Sequence, residues 1–531
     1  MPGGRCSGHS IKTGAQNKFL VISERINSKC NQCSSCLWRK RMTLRIQNME
    51  SLSCHGNIAG RKAVLEILEA GLEAVDPYHN TRKLIRRDGD RLIVGAEEFE
   101  PRGTPKSGDE VYDLSKIRNI YVFGAGKGIQ RVAKAIEDIL GDRITGGHVI
   151  DKKGHPAILE RIGVTLGGHP VPDEDCVEGC QKILEMTKKL TPDDLVFTCV
   201  SNGVSSTLTM PVPGVSLEDV RRTTYILQLE KGAPTIDLNA IRNHLDMMKG
   251  GRISRYICPA KAVHILAYSP SSYDQLMHRN YWLHTMPDCT TFQMAIDNLK
   301  KWDAWELVPS SVRKFLQAAD PKYETVKAEE FERFPCRIFG IMPGHRSSAV
   351  LPPAMKKAEE LGFKPVVIAD DLYNVEARHA AVYMTAICRT IERSGRPFEP
   401  PCALLVSGEM TVTVGKEAGM GGRNQEFVLS AAEAIAGSEN IVIGSVDTDG
   451  TDGPGIQFAQ RSENMPACLA GGIVDGETAN EAKNAGINIA EEIKRHNTSP
   501  ALWKIKSGIV ATPNISMTDL TVALVMGRAD N

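Results

Sequence analysis

Apolar and polar positions along this chain follow two rhythms. Over residues 58–76, Val64, Leu65, Ile67, Leu68 and Leu72 recur at the three- and four-residue spacing of an amphipathic helix. Residues 79–115 break into short strands and charged turns. Ile120-Tyr-Val-Phe123 then reads as a strand, Gly124-Ala-Gly-Lys-Gly128 as a turn, and Val132, Ala133, Ile136, Ile139 and Leu140 as the inner stripe of the next helix. The unit recurs. Leu195–Val200 is a continuous apolar run followed by Ser201-Asn-Gly-Val-Ser-Ser206, and Arg337–Met342 precedes a helix over 354–360. Lys364–Ala369 and Ile441–Ser445 are further strands, and Ala403–Val406 with Thr411–Val414 has the pattern of a hairpin. Strands that are apolar throughout are buried on both faces. The pattern therefore predicts an α/β fold of parallel-rich sheets flanked by helices, with ligands beyond the strand C-termini. The proline-rich Arg396-Pro-Phe-Glu-Pro-Pro401 marks a linker. The expected division is a leader over 1–55, an α/β domain over 56–300, a connecting segment over 301–398 and a smaller final domain over 399–531.

Composition narrows the picture. A chain of 531 residues is long enough for two or more domains, each with its own core. Lys plus Arg and Asp plus Glu both number 64, so there is no electrostatic footprint for nucleic acid or an anionic membrane. No apolar run is long enough to span a bilayer. The fourteen cysteines are scattered through apolar surroundings, which fits reduced, intracellular usage rather than a disulfide scaffold. Cys30, Cys33 and Cys36 have the spacing C-x2-C-x2-C but no fourth ligand at a familiar distance, so a metal site and a cysteine-rich leader both stay open. The leader carries Arg5, Lys12, Lys18, Arg25, Lys29, Arg39, Lys40, Arg41 and Arg45 against Glu24 and Glu50. That composition makes a mitochondrial address the alternative to a cytoplasmic one.

Two segments carry most of the candidate chemistry. Gly415–Glu426 is a glycine loop ending in Arg423, whose fork suits phosphate or carboxylate oxygens. Ser445–Pro454 is a strand end carrying Asp447, Asp449 and Asp452, oxygen ligands of the kind Mg²⁺ shares with nucleotide phosphates. The turn at Gly124, Gly126 and Lys127 opens a helix, where free N–H groups attract anions. It lacks the spacing of a P-loop. Ser201–Ser206 lacks the flanking glycines of a nucleophile elbow, which favours anion binding by hydroxyl and backbone groups over a covalent serine. His169, His244 and His345 are isolated and read as structural.

These segments occur in order with Gly168-His-Pro-Val-Pro-Asp-Glu174, Asn239–Gly251 and Val406–Val414. Together they resemble the type II glycerate kinases, whose C-terminal part is the MOFRL domain, over about residues 57–525. The resemblance implies a Rossmann-like larger domain, a smaller MOFRL-type α/β domain and an active site in the cleft. It implies phosphorylation of D-glycerate to 2-phosphoglycerate with ATP and Mg²⁺. It also implies small-molecule partners without nucleic acid or membrane, and leaves a homodimer open. Lys127 and Arg423 are the implied catalytic residues, converging when the cleft closes. Gly124, Gly126, Ser201, Asn202, Gly203, Ser205, Glu409, Gly422, Asn424, Gln425 and Glu426 are the implied substrate- and nucleotide-binding residues, with Asp447, Asp449 and Asp452 for magnesium. Asn202 and Val204 stand where the family carries glycines, His264–Asp274 lacks its paired acids, and Ser516 replaces an asparagine. These departures define the alternative, a catalytically weakened relative that binds a sugar acid or nucleotide as a sensor or scaffold. A nicotinamide dehydrogenase is disfavoured, because position 129 is Ile and no ribose-binding acid follows.

Overall fold

The computed structural model describes residues 44–342, 349–414, 419–453, 466, 468–515 and 517–527. The cysteine triplet, His345 and Ser516 lie outside the described residues. A small antiparallel sheet comes first: β1 (Ile85–Asp88), β2 (Arg91–Val94) and β3 (Glu110–Asp113). The larger first sheet contains β4 (Ile120–Ala125), β5 (Gly146–Lys152), β6 (Gly163–Gly167), β7 (Leu195–Val200), β8 (Lys261–Leu266) and β9 (Cys336–Gly340). Its strand order is β6-β5-β4-β7-β8-β9 and every pairing is parallel. In such doubly wound sheets the order reverses between the first and fourth strands, here β4 and β7. Helices leave on opposite faces at that point, and a crevice opens beyond the carboxyl ends. The apolar runs at Ile120 and Leu195 are these two central strands, and β7 is buried along its whole length.

The second sheet contains β10 (Lys364–Glu376), β11 (Cys402–Thr411), β12 (Ile441–Asp447), β13 (Gly471–Asp475), β14 (Gly508–Ile509) and β15 (Asp519–Val525). Its order is β10-β11-β15-β12-β13-β14, and only β10 and β11 run parallel. This sheet is mixed rather than parallel-rich. The hairpin expected at 403–414 is instead one strand, β11, because β15 brings seven backbone partners alongside it from the far end of the chain.

Eight helices matter for the site: α1 (Ile58–Ala74), α2 (Gln130–Leu140), α3 (Glu174–Thr187), α4 (Val204–Thr207), α5 (Thr235–His244), α6 (Leu351–Glu360), α7 (Ala377–Ser394) and α8 (Arg423–Ala434). The chain does not divide along sequence as expected. The apolar stripe of α1 packs on the second sheet, where a side chain at Gly444 would meet Val64 and Leu68. Arg61, fully buried, bonds Asp475 at 2.5 Å. The last part of the expected leader is also built in. Ile46 bridges to Ala511, and Arg45, with 1% exposure, donates to the Thr448 and Thr512 carbonyls. Residues 301–398 supply an edge strand to each sheet, β9 and β10, and so are not a connector. One apolar core runs through both halves, joining Val122, Val149 and Phe339 to Val350, Leu520 and Val522.

Candidate active site

The switch point places the β4–α2 turn beside the β7–α4 loop. Gly126 has φ +130°, and a Cβ there would lie 2.2 Å from Ser201 Oγ, so the turn requires glycine for both conformation and space. Three successive amides of this turn are already spent. Gly126 donates to the Ile150 carbonyl at 3.1 Å, Lys127 to that of Asn202 at 2.8 Å, and Gly128 to Asp151 Oδ1 at 2.9 Å. The turn is therefore not a backbone cradle for phosphate. Gly124 and Gly126 shape the site, and what the turn offers a ligand is the Lys127 side chain. Ser201 is likewise structural, buried, with its hydroxyl donating to the Lys127 carbonyl at 2.8 Å. Gly203 has φ +83°, and a side chain there would collide with the His169 ring and with Lys127 Cγ, about 3.0 Å away. Asn202 and Gly203 thus border the lysine. Ser205, one turn further, pairs with His284.

Across the crevice stands the N-terminus of α8. Asp452 caps it from outside. Its Oδ1 accepts from the Asn424 amide at 3.1 Å and its Oδ2 from the Gln425 amide at 2.9 Å. This satisfies two otherwise orphaned helix donors and complements the helix dipole. Asn424, Gln425 and Glu426 are at most 1% exposed and turned into the protein. Asn424 joins Ser445 and Asp519, Gln425 joins Ser499, and Glu426 joins His496. These three hold the helix start in place rather than facing a ligand. Gly422 is needed because a side chain would strike the Asp452 carbonyl at 2.2 Å. Arg423 is the residue of this segment that faces the crevice. It grips Asp519 with two bonds, 2.7 and 2.9 Å, and Asp447 with one of 2.8 Å, while Glu409 stands 3.7 Å away.

The two sides meet on the β12 turn. Asp449 Oδ2 accepts from Lys127 Nζ at 3.2 Å, and its Oδ1 takes both the amide and hydroxyl of Thr451. Asp447, two residues earlier, holds Arg423 and accepts the Asp449 amide. Lys127 and Arg423, expected to converge only on closure, are thus already tied to one turn. Behind the lysine the halves touch directly, since a Cβ at Gly128 would lie 2.4 Å from the Asn514 backbone.

The electrostatics follow from this crowding. Asp447, Asp449, Asp452 and Asp519 are four buried carboxylates facing Lys127 and Arg423. Burial and the charge of Asp449 raise Asp447 well above the ordinary carboxylate range, and burial pushes Asp519 up to about 6 against the pull of Arg423. Burial also opposes ionisation of Asp449, but Lys127 and the Thr451 donors outweigh it and lower its pKa. Lys152, at the end of β5, adds a cation that acts on both Asp449 and His169. Burial, Lys127 and Lys152 bring His169 down to about 4, leaving it neutral. Lys152 and His284 are not recognisable from their local segments, in which nothing marks a ligand. His169 was visible in its motif but not its place beside Lys127.

The three aspartates expected to hold magnesium are engaged by other groups in this structure. Asp452 is committed to capping α8, and Asp447 and Asp449 each face a cation. Among the described residues, no group of three or more His, Cys, Asp or Glu side chains is arranged to hold a metal ion. The carboxylates here are counter-ions to the basic side chains. No helix among the described residues is long and apolar enough to cross a membrane.

Two family models match this chain. Residues 63–317 match a domain of unknown function, DUF4147, and residues 402–521 match the MOFRL family. A glycerate 2-kinase of Pyrococcus horikoshii is 32% identical over 471 residues, covering 88% of this chain and 98% of its own. A D-glycerate 2-kinase of Thermotoga maritima is 32% identical over 470 residues, with the same shares. The crystal structure of glycerate kinase from Thermotoga maritima superposes with a TM-score of 0.65 at 30% identity, covering 88% of this chain and 99% of that one.

Proposed function

The chain belongs to the glycerate 2-kinase family, and we propose that it transfers the terminal phosphoryl group of ATP to D-glycerate, forming 2-phosphoglycerate. The observation that carries this reading is the convergence of Lys127 and Arg423, from opposite sides of the crevice, on the Asp447–Asp449 turn. We treat these sides as two lobes. One is built on the first sheet, and the other on the second sheet together with residues 44–74.

Phosphoryl transfer asks little covalent chemistry of a protein. It needs two oxygens held in line and cations where charge spreads over the migrating group. Lys127 and Arg423 supply such cations, and their aspartates keep them extended into the crevice before an anion arrives. An incoming polyphosphate replaces the carboxylates as their partner. Neutral His169 adds no charge of its own and lines the pocket beside Lys127. Lys152 extends the basic surface along the same edge and suits a nucleotide phosphate further from the reacting atom. Since no dedicated set of metal ligands is assembled among the described residues, Mg²⁺ would be carried on the phosphates of the nucleotide. No step here is assigned to it.

The test is product identification. Purified protein, D-glycerate and Mg-ATP should give ADP in step with one phosphoglycerate, identified as the 2-isomer by phosphorus NMR. Binding of ATP and D-glycerate without turnover would favour the sensor or scaffold reading instead.

A further inference from the structure

Building on the kinase reading above, we propose that Arg242, with Ser205 oriented by His284, is the seat for the substrate's carboxylate, separate from the Lys127–Arg423 pair that handles the phosphoryl group.

Helix α5 has two buried faces. Leu238, Ile241 and Leu245 pack into a satellite core of helices. Asn239, Arg242 and Asn243 form a polar face beside it, and Asp246 follows just past the end of the helix. Asn239, Asn243 and Asp246 are at most 1% exposed. A polar stripe withdrawn from water is costly unless it meets partners. Asp246 meets them all, accepting from the Met210 amide at 3.0 Å, the Met248 amide at 2.8 Å and Lys249 Nζ at 2.6 Å.

Arg242 does not. Its Nε, at 3.0 Å, and its Nη2 both donate to one acceptor, Asn239 Oδ1. Among the described residues, the acid whose charge reaches it is Asp246, already paired with Lys249. Burial lowers its pKa to about 10, so it stays a cation at neutral pH, and an under-compensated one. Three polar atoms around it have no partner: the donor Asn239 Nδ2, the amide oxygen Asn243 Oδ1, and His284 Nδ1. An unspent buried donor, Asn239 Nδ2, beside a lightly compensated guanidinium calls for an anion with oxygens that a planar fork can grip.

Ser205 joins this seat to the crevice. It is half-buried in α4, directly after Gly203, which borders Lys127, and its Oγ lies 2.9 Å from His284 Nε2. Lys249, paired with Asp246 just past the end of α5, donates to Thr209 Oγ1 at 2.8 Å, and Thr209 Oγ1 lies 3.4 Å from the Ser205 carbonyl, which links the end of α5 to Ser205. Burial and the cations Lys249 and Arg242 hold His284 well below its ordinary pKa, so the ring is neutral. With its proton on Nε2, the ring donates to Ser205 Oγ and leaves the serine hydrogen for a ligand oxygen. His284 is then a positioning residue acting through Ser205. By contrast, Lys127 and Arg423 are already engaged by Asp449, Asp447 and Asp519.

The experiment compares wild type, Arg242→Gln and Arg242→Lys with D-glycerate, its carboxamide and ATP. Arg242→Gln should raise KM for D-glycerate at least about tenfold, the cost of one charge-assisted pair, while KM for ATP stays within about twofold. The preference for acid over amide in kcat/KM should collapse. Arg242→Lys should recover part of it, restoring charge but not the fork. Ser205→Ala and His284→Gln should shift KM for D-glycerate the same way, by about three- to tenfold. An unchanged acid-to-amide preference overturns the proposal, and a rise confined to KM for ATP overturns it by putting a nucleotide phosphate in the seat. Calorimetric titration with D-glycerate separates the two readings. Arg242-dependent binding without turnover keeps the seat and sinks the kinase reading, whereas binding indifferent to Arg242 sinks the seat.

Discussion

Replacing Lys127 by alanine separates two effects that the structure binds together. The lysine Nζ lies 3.2 Å from Asp449 Oδ2, with side-chain exposures of 18% and 7%. Alanine strands the carboxylate. Losing one partner of a buried pair costs about 3–5 kcal/mol when both are fully enclosed, and about 1–3 kcal/mol for a single unsatisfied group. The lysine is partly solvated, and Thr451 keeps its two bonds to Oδ1, at 2.7 and 2.6 Å. The lower figure therefore applies, roughly 1–2 kcal/mol. The catalytic loss is separate, since one positioned group facing developing charge is worth about 10²–10³ in kcat. Adding Asp449→Asn to the alanine variant removes the stranded charge. Urea unfolding should then return to within about 0.5 kcal/mol of wild type at constant m, while kcat with D-glycerate stays down about a hundredfold or more. A Lys127→Ala enzyme with kcat within about threefold of wild type would remove Lys127 from the chemistry. A double variant as unstable as the single one would show that the stranded charge is not what alanine costs.

Three further outcomes follow from the same geometry. Asp452→Asn should weaken the start of α8, lowering stability by about 0.5–2 kcal/mol, but leave the Mg²⁺ concentration for half-maximal activity unchanged; a large rise in that concentration would make Asp452 a metal ligand after all. Asp519 has a folded-state pKa raised from 3.8 to about 6, so the folded chain holds the extra proton between those values. Its contribution to stability is full below about pH 4 and lost as pH rises through about 6; Asp519→Asn should flatten that part of the unfolding-midpoint profile, and an unaltered slope would contradict the assignment. Lys152→Ala should raise KM for ATP several-fold, more at low salt than at high, with KM for D-glycerate little changed; the reverse pattern would move Lys152 to the other substrate.

What was legible beforehand depended on distance along the chain. The strands at Ile120, Leu195 and Ile441 were plain because each is apolar throughout and buried on both faces. The second sheet's mixed character was not, because it depends on β15 returning from residue 519 to lie between β11 and β12. Arg423 stood out by its glycine loop, yet Asn424, Gln425 and Glu426 beside it looked equally like ligand contacts. Their actual partners, Asp519, Ser499 and His496, lie 70 to 95 residues away. Asp452 resembled a metal ligand because local sequence shows its carboxylate but not the two helix amides 27 and 28 residues back that consume it.

The sequence by itself determined the alternation of apolar strands with helices, the glycines that the tight turns demand, and the two basic side chains proposed here for phosphoryl transfer. Those features are local: a periodicity, a backbone constraint, a side-chain type at the end of a strand. Only the tertiary structure decided which carboxylate answers which cation. It tied Lys127 and Arg423 to one aspartate turn, spent the glycine-turn amides on neighbouring strands, and left Arg242 short of a counter-charge. Such pairings depend on through-space distance and on the burial that strengthens them, and residues hundreds of positions apart carry no trace of either in their local composition.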